Sequence, residues 1–349
     1  MASTPLLRMI DAAVNRAGEG LRVAEDYVRF VLDDPHLTRL AKALRHNFAD
    51  VVAMVAATDR HTARDTQADV GTSISTPSEQ TRTDTWAVCV ASLKRAQQSL
   101  RSLEEYGKLS DAKFATEIGL IRYRLYTLEK AIDTERTSRE RLEGVRLCVL
   151  VDGRESMSAF ETLVKSLVEA GAGMIQLRDK QLNDRELAGR ARRMHDIIRD
   201  TSTLAIVNDR PDIAVAAHVD GVHLGQEDLS VKDARTIVGT RMLVGVSTHS
   251  VEQARAAALE GANYLGLGPT FPSRTKSFEK LAGLDVLKAV AGEIRLPTFA
   301  IGGIDTDNLH DVISAGASRV AVSAAVTAAH NPVEATRKLT AILKSSALV

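Results

Sequence analysis

The 349-residue sequence predicts an α/β protein: a (β/α)8 TIM barrel over residues 139–349, preceded by an all-α helical domain over residues 1–138. Two textures and one count carry that reading. The first third of the chain repeats apolar residues at steps of three and four, the period of an amphipathic helix. From Arg146 onward, short β-branched or Leu-rich runs alternate with helical patterns, and the runs stay apolar throughout, as strands buried on both faces do. There are eight such runs in about 205 residues, near the minimum for a (β/α)8 barrel. A doubly wound open sheet is the competitor. The count, and the polar residues after nearly every run, favour the barrel.

In the helical part, Ile10, Val14, Ala17, Leu21, Ala24, Val28 and Val31 form one stripe, and Asp33-Asp34-Pro35 ends that helix. A second helix is expected from His36 to about Ala57. Thr58 to Asp84, rich in Thr, Ser and Asp, reads as a long loop with a functional flavour. Further helices span Thr85 to Tyr106 and Ala112 to Ile132, giving a four-helix antiparallel bundle. Asp11, Asn15, Glu19, Arg22, Asp26 and Arg29 make a polar stripe on the first helix, read as solvated, salt-bridging surface. The charged run Asp133 to Glu143, DTERTSRERLE, is taken as the domain boundary.

The eight expected strands are Arg146–Val151, Met174–Leu177, Leu204–Val207, Gly221–Leu224, Leu243–Val246, Tyr264–Leu267, Thr298–Ile301 and Arg319–Val322. Barrel strands share a C-terminal face, so the residues after them converge. The second strand delivers Gln176, Arg178 and Lys180, which alternation puts on one side; Arg and Lys there suit phosphate oxygens. The third delivers Asn208 and Asp209, the fourth Gln226 and Asp228, the fifth Ser247 and His249. After the sixth comes Gly268-Pro269-Thr270 and the hydroxyl-rich Ser273-Arg274-Thr275-Lys276; after the seventh, Gly302-Gly303-Ile304; after the eighth, Ser323-Ala324.

Each piece has a plainer reading. Asp209 could cap a short helix over Asp212 to Ala217. Gly302-Gly303 could be only a tight turn. His223 and His249 are read as orienting or structural, because no His/Cys cluster has zinc spacing. Taken together, two acids suited to a hard cation, three donors, a hydroxyl-and-lysine loop and a glycine pair on one face suggest a site for two phosphorylated ligands, one a metal-bound diphosphate.

Composition narrows the partners. Forty-five basic residues balance 45 acidic ones, and aromatics are 4%, which argues against nucleic acid and membrane surfaces and for small-molecule substrates. No run approaches the roughly 18 apolar residues of a membrane span, and no signal-like segment opens the chain, so a soluble cytoplasmic protein is expected. Cys89 and Cys148 lie apart in apolar runs and read as buried free thiols. A homo-oligomer is compatible with all of this.

QLRDK (176–180), VNDR (207–210), GVHLGQED (221–228), GVSTH (245–249), GLGPTFPSRTK (266–276), IGGI (301–304) and Val322-Ser323-Ala324 together resemble thiamine-phosphate synthase. That family joins a hydroxymethylpyrimidine diphosphate to a thiazole phosphate. The resemblance covers residues 145–330, and its GQED and GLGP…TK segments are specific. It implies Mg²⁺ on Asp209 and Asp228. Gln176, Arg178, Lys180, Asn208, Ser247 and Lys276 would bind the pyrimidine diphosphate, with Arg178, Lys180, Ser247 and Lys276 acting in catalysis. Ser273, Arg274, Thr275, Gly303, Ser323 and Ala324 would hold the thiazole phosphate. Ser273 stands where a threonine is more usual, and the hydroxyl survives. The alternatives are a thiazole tautomerase-like barrel and a non-catalytic ligand-binding barrel. Against the first stand the intact donors and both aspartates; against the second, the retained acids and Lys276.

RMIDAAVNRAGEGLRVAEDYVRFVLDD, ALRH, DTQADVGTSI and SLRSLEEYGK resemble a helical domain found fused to such synthases. That resemblance implies a hydroxymethylpyrimidine phosphate kinase. The sequence has no Gly-rich Walker-type loop, and a dimerisation or scaffold bundle is the equal alternative.

Overall fold

In the computed structural model, the residues described are 3–67, 81–272 and 281–346. The chain divides into two compact units at Asp133/Thr134.

The first unit is helical: α1 (Thr4–Tyr27), a π-helical turn (Val28–Leu32), α2 (Pro35–Val52), α3 (Ala57–Ala63), α4 (Thr85–Gly107) and most of α5 (Ala112–Arg141). Asp33 takes a left-handed φ of 52° after the π turn, and Asp34 caps α2 by accepting from the Leu37 N–H (2.6 Å). The apolar stripe is buried from Ile10 to Val28, but Val31 is 45% exposed and Leu32 is buried instead. The π turn causes this. Its i→i+5 bonding inserts one residue, so the stripe slips by one position. The polar stripe is also not all surface. Asp11 is buried and takes a forked pair from Arg64 (2.7 and 2.9 Å). Part of the expected loop after residue 58 is α3, and DTQADVGTSI lies largely outside the described residues.

α5 continues through the run DTERTSRERLE to Arg141, so the division between units, at the start of that run, falls inside a helix. Its apolar content is low, yet Glu135, Ser138 and Leu142 are buried.

The second unit is a closed parallel barrel of eight strands in sequence order. They are β1 (Leu147–Val151), β2 (Met174–Leu177), β3 (Leu204–Asn208), β4 (Gly221–Leu224), β5 (Leu243–Thr248), β6 (Tyr264–Leu267), β7 (Thr298–Ile301) and β8 (Val320–Val322). The intervening helices are α6 (Met157–Glu169), α7 (Asp184–Ile198), α8 (Pro211–Ala216), α9 (Val231–Val238), α10 (Val251–Glu260), α11 (Gly283–Glu293) and α12 (Leu309–Ser314), followed by α13 (Ala324–Thr327) and α14 (Pro332–Ser345). Period-two alternation sorts the strand residues. Val149, Ile175, Val207, Val222, Val244 and Leu265 face the helices, while Cys148, Met174, Ile206, Leu243, Tyr264 and Phe299 fill the bore with Leu142 beneath them. Cys89 and Cys148 are free and buried, and burial pushes both thiols up to about 12. No described helix is long and apolar enough to cross a membrane.

Candidate active site

The rim at the strand C-termini is built on a paired polar chain inside the bore. Gln176, 3% exposed, bonds to the Tyr264 hydroxyl. That hydroxyl lies 3.3 Å from His223 Nδ1, and His223 Nε2 lies 3.0 Å from Ser247 Oγ. Burial, outweighing the pull of Asp228, draws His223 down to about 4, so the ring is neutral at ordinary pH. Because Tyr264 stays protonated in its buried place, its O–H donates to Nδ1 and the Nε2–H donates to Ser247. The Ser247 hydroxyl is left with its proton to offer upward. Tyr264 escaped the sequence reading; the signal was Gly245 on the neighbouring strand, where a Cβ would meet the Tyr264 ring at 2.1 Å.

Above this chain sit the acids. Asn208 ends β3 on the bore side, and strict alternation would turn Asp209 outward. Instead Asp209 adopts φ 61°, a left-handed conformation that aspartate tolerates better than most residues, and its carboxyl reaches Asp228. Asp228 is held by the Gly225 N–H (2.7 Å), and a Cβ at Gly225 would sit 2.7 Å from that same carboxylate oxygen. Burial first, then the Asp228 carboxylate, push Asp209 up to about 6, although Lys180 (3.9 Å) and Arg178 pull the other way. Asp209 does not cap α8: the cap position belongs to Arg210, which makes no side-chain cap bond.

Lys180 is well exposed, and Arg178 makes no side-chain hydrogen bond among the described residues; both heads are available to an anion. Asp179 between them turns away and accepts from the Gly153, Gln181 and Leu182 N–H groups. Gln226 donates to the Ser247 carbonyl, and His249 contacts the Gly268 carbonyl, so both brace loops.

Gly302 (φ 101°) and Gly303 (φ 63°) have a close-approach reason for being glycine. A Cβ on Gly303 would meet the Pro272 carbonyl at 2.4 Å, because the loop after β6 is tied here through Phe271 N–H to Gly302 O (2.9 Å). Ser323 donates to the Leu150 carbonyl (3.2 Å), and Ala324 opens the four-residue α13. Ser273, Arg274, Thr275 and Lys276 lie outside the described residues. Among the described residues no group of three or more His, Cys, Asp or Glu is placed to share a metal. Two carboxylates remain, a number that suits Mg²⁺, which keeps most of its water and takes its other ligands from phosphate.

Fold and rim together have the form of a (β/α)8 enzyme, with its polar residues gathered at the strand C-termini. The family model described as thiamine monophosphate synthase matches residues 147–326, and one described as ThiD2 family matches residues 8–131. The thiamine-phosphate synthase of Rhodopirellula baltica is 43% identical over 93% of this chain and 89% of its own length. That of Synechocystis is 38% identical over 96% of both. The structure of thiamine phosphate pyrophosphorylase from Pyrococcus furiosus, 32% identical, covers 59% of this chain and 98% of its own, with a TM-score of 0.54. The chain belongs to the thiamine-phosphate synthase family; it is a transferase, and thiamine-phosphate synthesis is its activity.

Proposed function

We propose that the rim joins a hydroxymethylpyrimidine diphosphate to a thiazole phosphate with Mg²⁺, by departure of diphosphate before attack. The observation that carries this is the Asp209–Asp228 pair: two carboxylates within bonding reach of each other, one held at about 6, beside two open cationic heads. Such a pair is costly alone and favourable around a divalent cation. Mg²⁺ held there would supply positive charge for the diphosphate oxygens. Arg178 and Lys180, with Lys276, add fixed positive charge where negative charge grows as the C–O bond breaks. The Ser247 hydroxyl and the Asn208 amide orient the pyrimidine, and its amino group donates electrons to the cation left behind.

Gly303, Ser323 and Ala324, with Ser273 to Thr275, hold the thiazole phosphate so that its ring nitrogen faces that carbon. Positioning supplies the rate, on the order of several kcal/mol, and no protein nucleophile takes part. The experiment is diphosphate release on mixing both substrates with and without Mg²⁺. Asp209→Asn and Asp228→Asn are each expected to abolish the Mg²⁺-dependent release; full activity in both would sink the assignment.

A further inference from the structure

We infer that the opposite end of the barrel carries a second anion site, a cavity of about 560 Å³ lined by Arg139, Arg146, Arg295 and Arg319, which binds a diphosphate group. It lies at the strand N-termini: Arg146 precedes β1, Arg319 precedes β8, and Arg295 precedes β7. In this fold chemistry belongs to the other face, so the site binds rather than catalyses.

Charge is the first argument. Four guanidinium groups line the cavity against two carboxylates, Glu140 and Glu143. Glu140 is bridged to Arg136 (2.8 Å) and Arg139 to Glu135 (3.6 Å), which leaves Arg146 and Arg319 as the pair whose bonds go to neutral acceptors. Arg146 and Arg319 donate to neutral acceptors: the Ser318 carbonyl (3.4 Å), the Ser318 hydroxyl (3.2 Å) and the Leu142 carbonyl (3.4 Å). Both heads are thus held on the Ser318 segment by neutral acceptors alone.

Burial is the second. Arg319 Nε is buried without a hydrogen-bond partner. Burial, then the charges of Arg146 and Arg139, draw Arg319 down to about 10, an unusual condition for a guanidinium. A fold that keeps like charges this close gains most from an anion that can accept several forked N–H bonds, and a diphosphate offers them. The remaining wall includes Leu287, Ile294 and Leu296, room for an organic group, and the volume is that of a small-molecule site.

The site is independent of the rim reading, and the test separates the two. The full-length chain is titrated with inorganic diphosphate, and separately with ADP as a diphosphate ester, in chelator at fixed ionic strength, following thermal unfolding. The background is Arg178→Ala/Lys180→Ala, which disables the rim. A saturable rise in Tm that persists there, and whose apparent Kd weakens at least tenfold on adding Arg146→Gln or Arg319→Gln, supports the site. Tighter binding of ADP assigns an ester, and tighter binding of inorganic diphosphate a free anion. No saturable rise in the rim-disabled chain, or a rise that both glutamine variants leave unchanged, overturns it. Arg146→Gln, outside the strands, keeps the test decisive if Arg319→Gln fails to fold.

Discussion

At the floor of the barrel Asn263 pairs both ends of its side-chain amide and its backbone N–H. Its Nδ2 donates to Ser138 Oγ (2.9 Å), its Oδ1 accepts from the Val244 N–H (2.9 Å) and from Arg235, and its N–H reaches the Val244 carbonyl (2.7 Å). At the rim, Asp209 and Asp228 face one another with a lysine 3.9 Å away and no pairing that neutralises both. Both clusters are polar and both are held by strand ends. The first pairs Ser138, in the last turns of α5 that belong to this unit, with Asn263; the second leaves two carboxylates facing each other. Completeness, more than polarity, separates the two, and by the same measure Arg319, whose Nε is buried without a hydrogen-bond partner, groups with the rim.

The largest effect should follow from breaking the incomplete cluster. Asp209→Asn or Asp228→Asn is expected to lower kcat by at least about 10²–10³-fold, as loss of one electrostatic group at a reacting centre does. Stability should hold or rise, since the repulsion goes with the charge. A drop in Tm alongside the loss of turnover would make the pair structural. The complete cluster should behave the opposite way. Asn263→Ala takes the side-chain acceptor from the buried Val244 N–H and one bond each from Ser138 and Arg235, at roughly 2–4 kcal/mol of unfolding free energy in denaturant titration, with kcat of the folded fraction near the parent's.

How far each region could be read from sequence follows the same division. The strands were legible nearly to the residue because a bore and a helix layer on either face leave only apolar runs, and the runs from Met174, Gly221, Tyr264 and Thr298 begin and end as expected. The rim acids were legible as types, since Asp209 and Asp228 follow strands, but the left-handed turn that swings Asp209 inward was not. What stayed hidden depends on partners distant in sequence. Val31 lost its place to Leu32 through a π turn, and Ser138 and Leu142 are buried in a charged run whose low apolar content marked it only as a boundary. Gly302 and Gly303 suggested a ligand, whereas the nearest cause of their being glycine is the segment ending at Pro272.

A third effect is one of pH. In cation-free protein Asp209 sits at about 6, above its ordinary 3.8. Between about 4 and 6 the folded chain therefore holds a proton that the unfolded chain releases, so this group's contribution to stability falls as pH rises through that window and is constant above it. A cation must displace that proton. The Mg²⁺ concentration for half-maximal diphosphate release should rise by up to about tenfold per pH unit below 6. His223, at about 4, should add no inflection near 6.5. An inflection near 6.5 in the stability of Asp209→Asn, followed by denaturant titration, would reassign the titration.

The smallest effect tests whether the chain beneath the rim belongs to scaffold or site. Tyr264→Phe keeps the ring in the space that Gly245 leaves and removes only the hydroxyl between Gln176 and His223. The loss of stability should be about 1 kcal/mol, the value of one buried hydrogen bond with its partners relaxed. The informative quantity is kcat. Without the Tyr264 donor, nothing fixes the proton of His223 on Nε2, and the other tautomer would accept from Ser247 and turn its hydroxyl down, away from the rim. If the chain only fills the bore, kcat stays at the parent value and Ser247→Ala costs the same in either background. If it aims Ser247 at substrate, kcat falls several-fold in Tyr264→Phe, and Ser247→Ala then adds little further, because the proton it would remove is already misdirected.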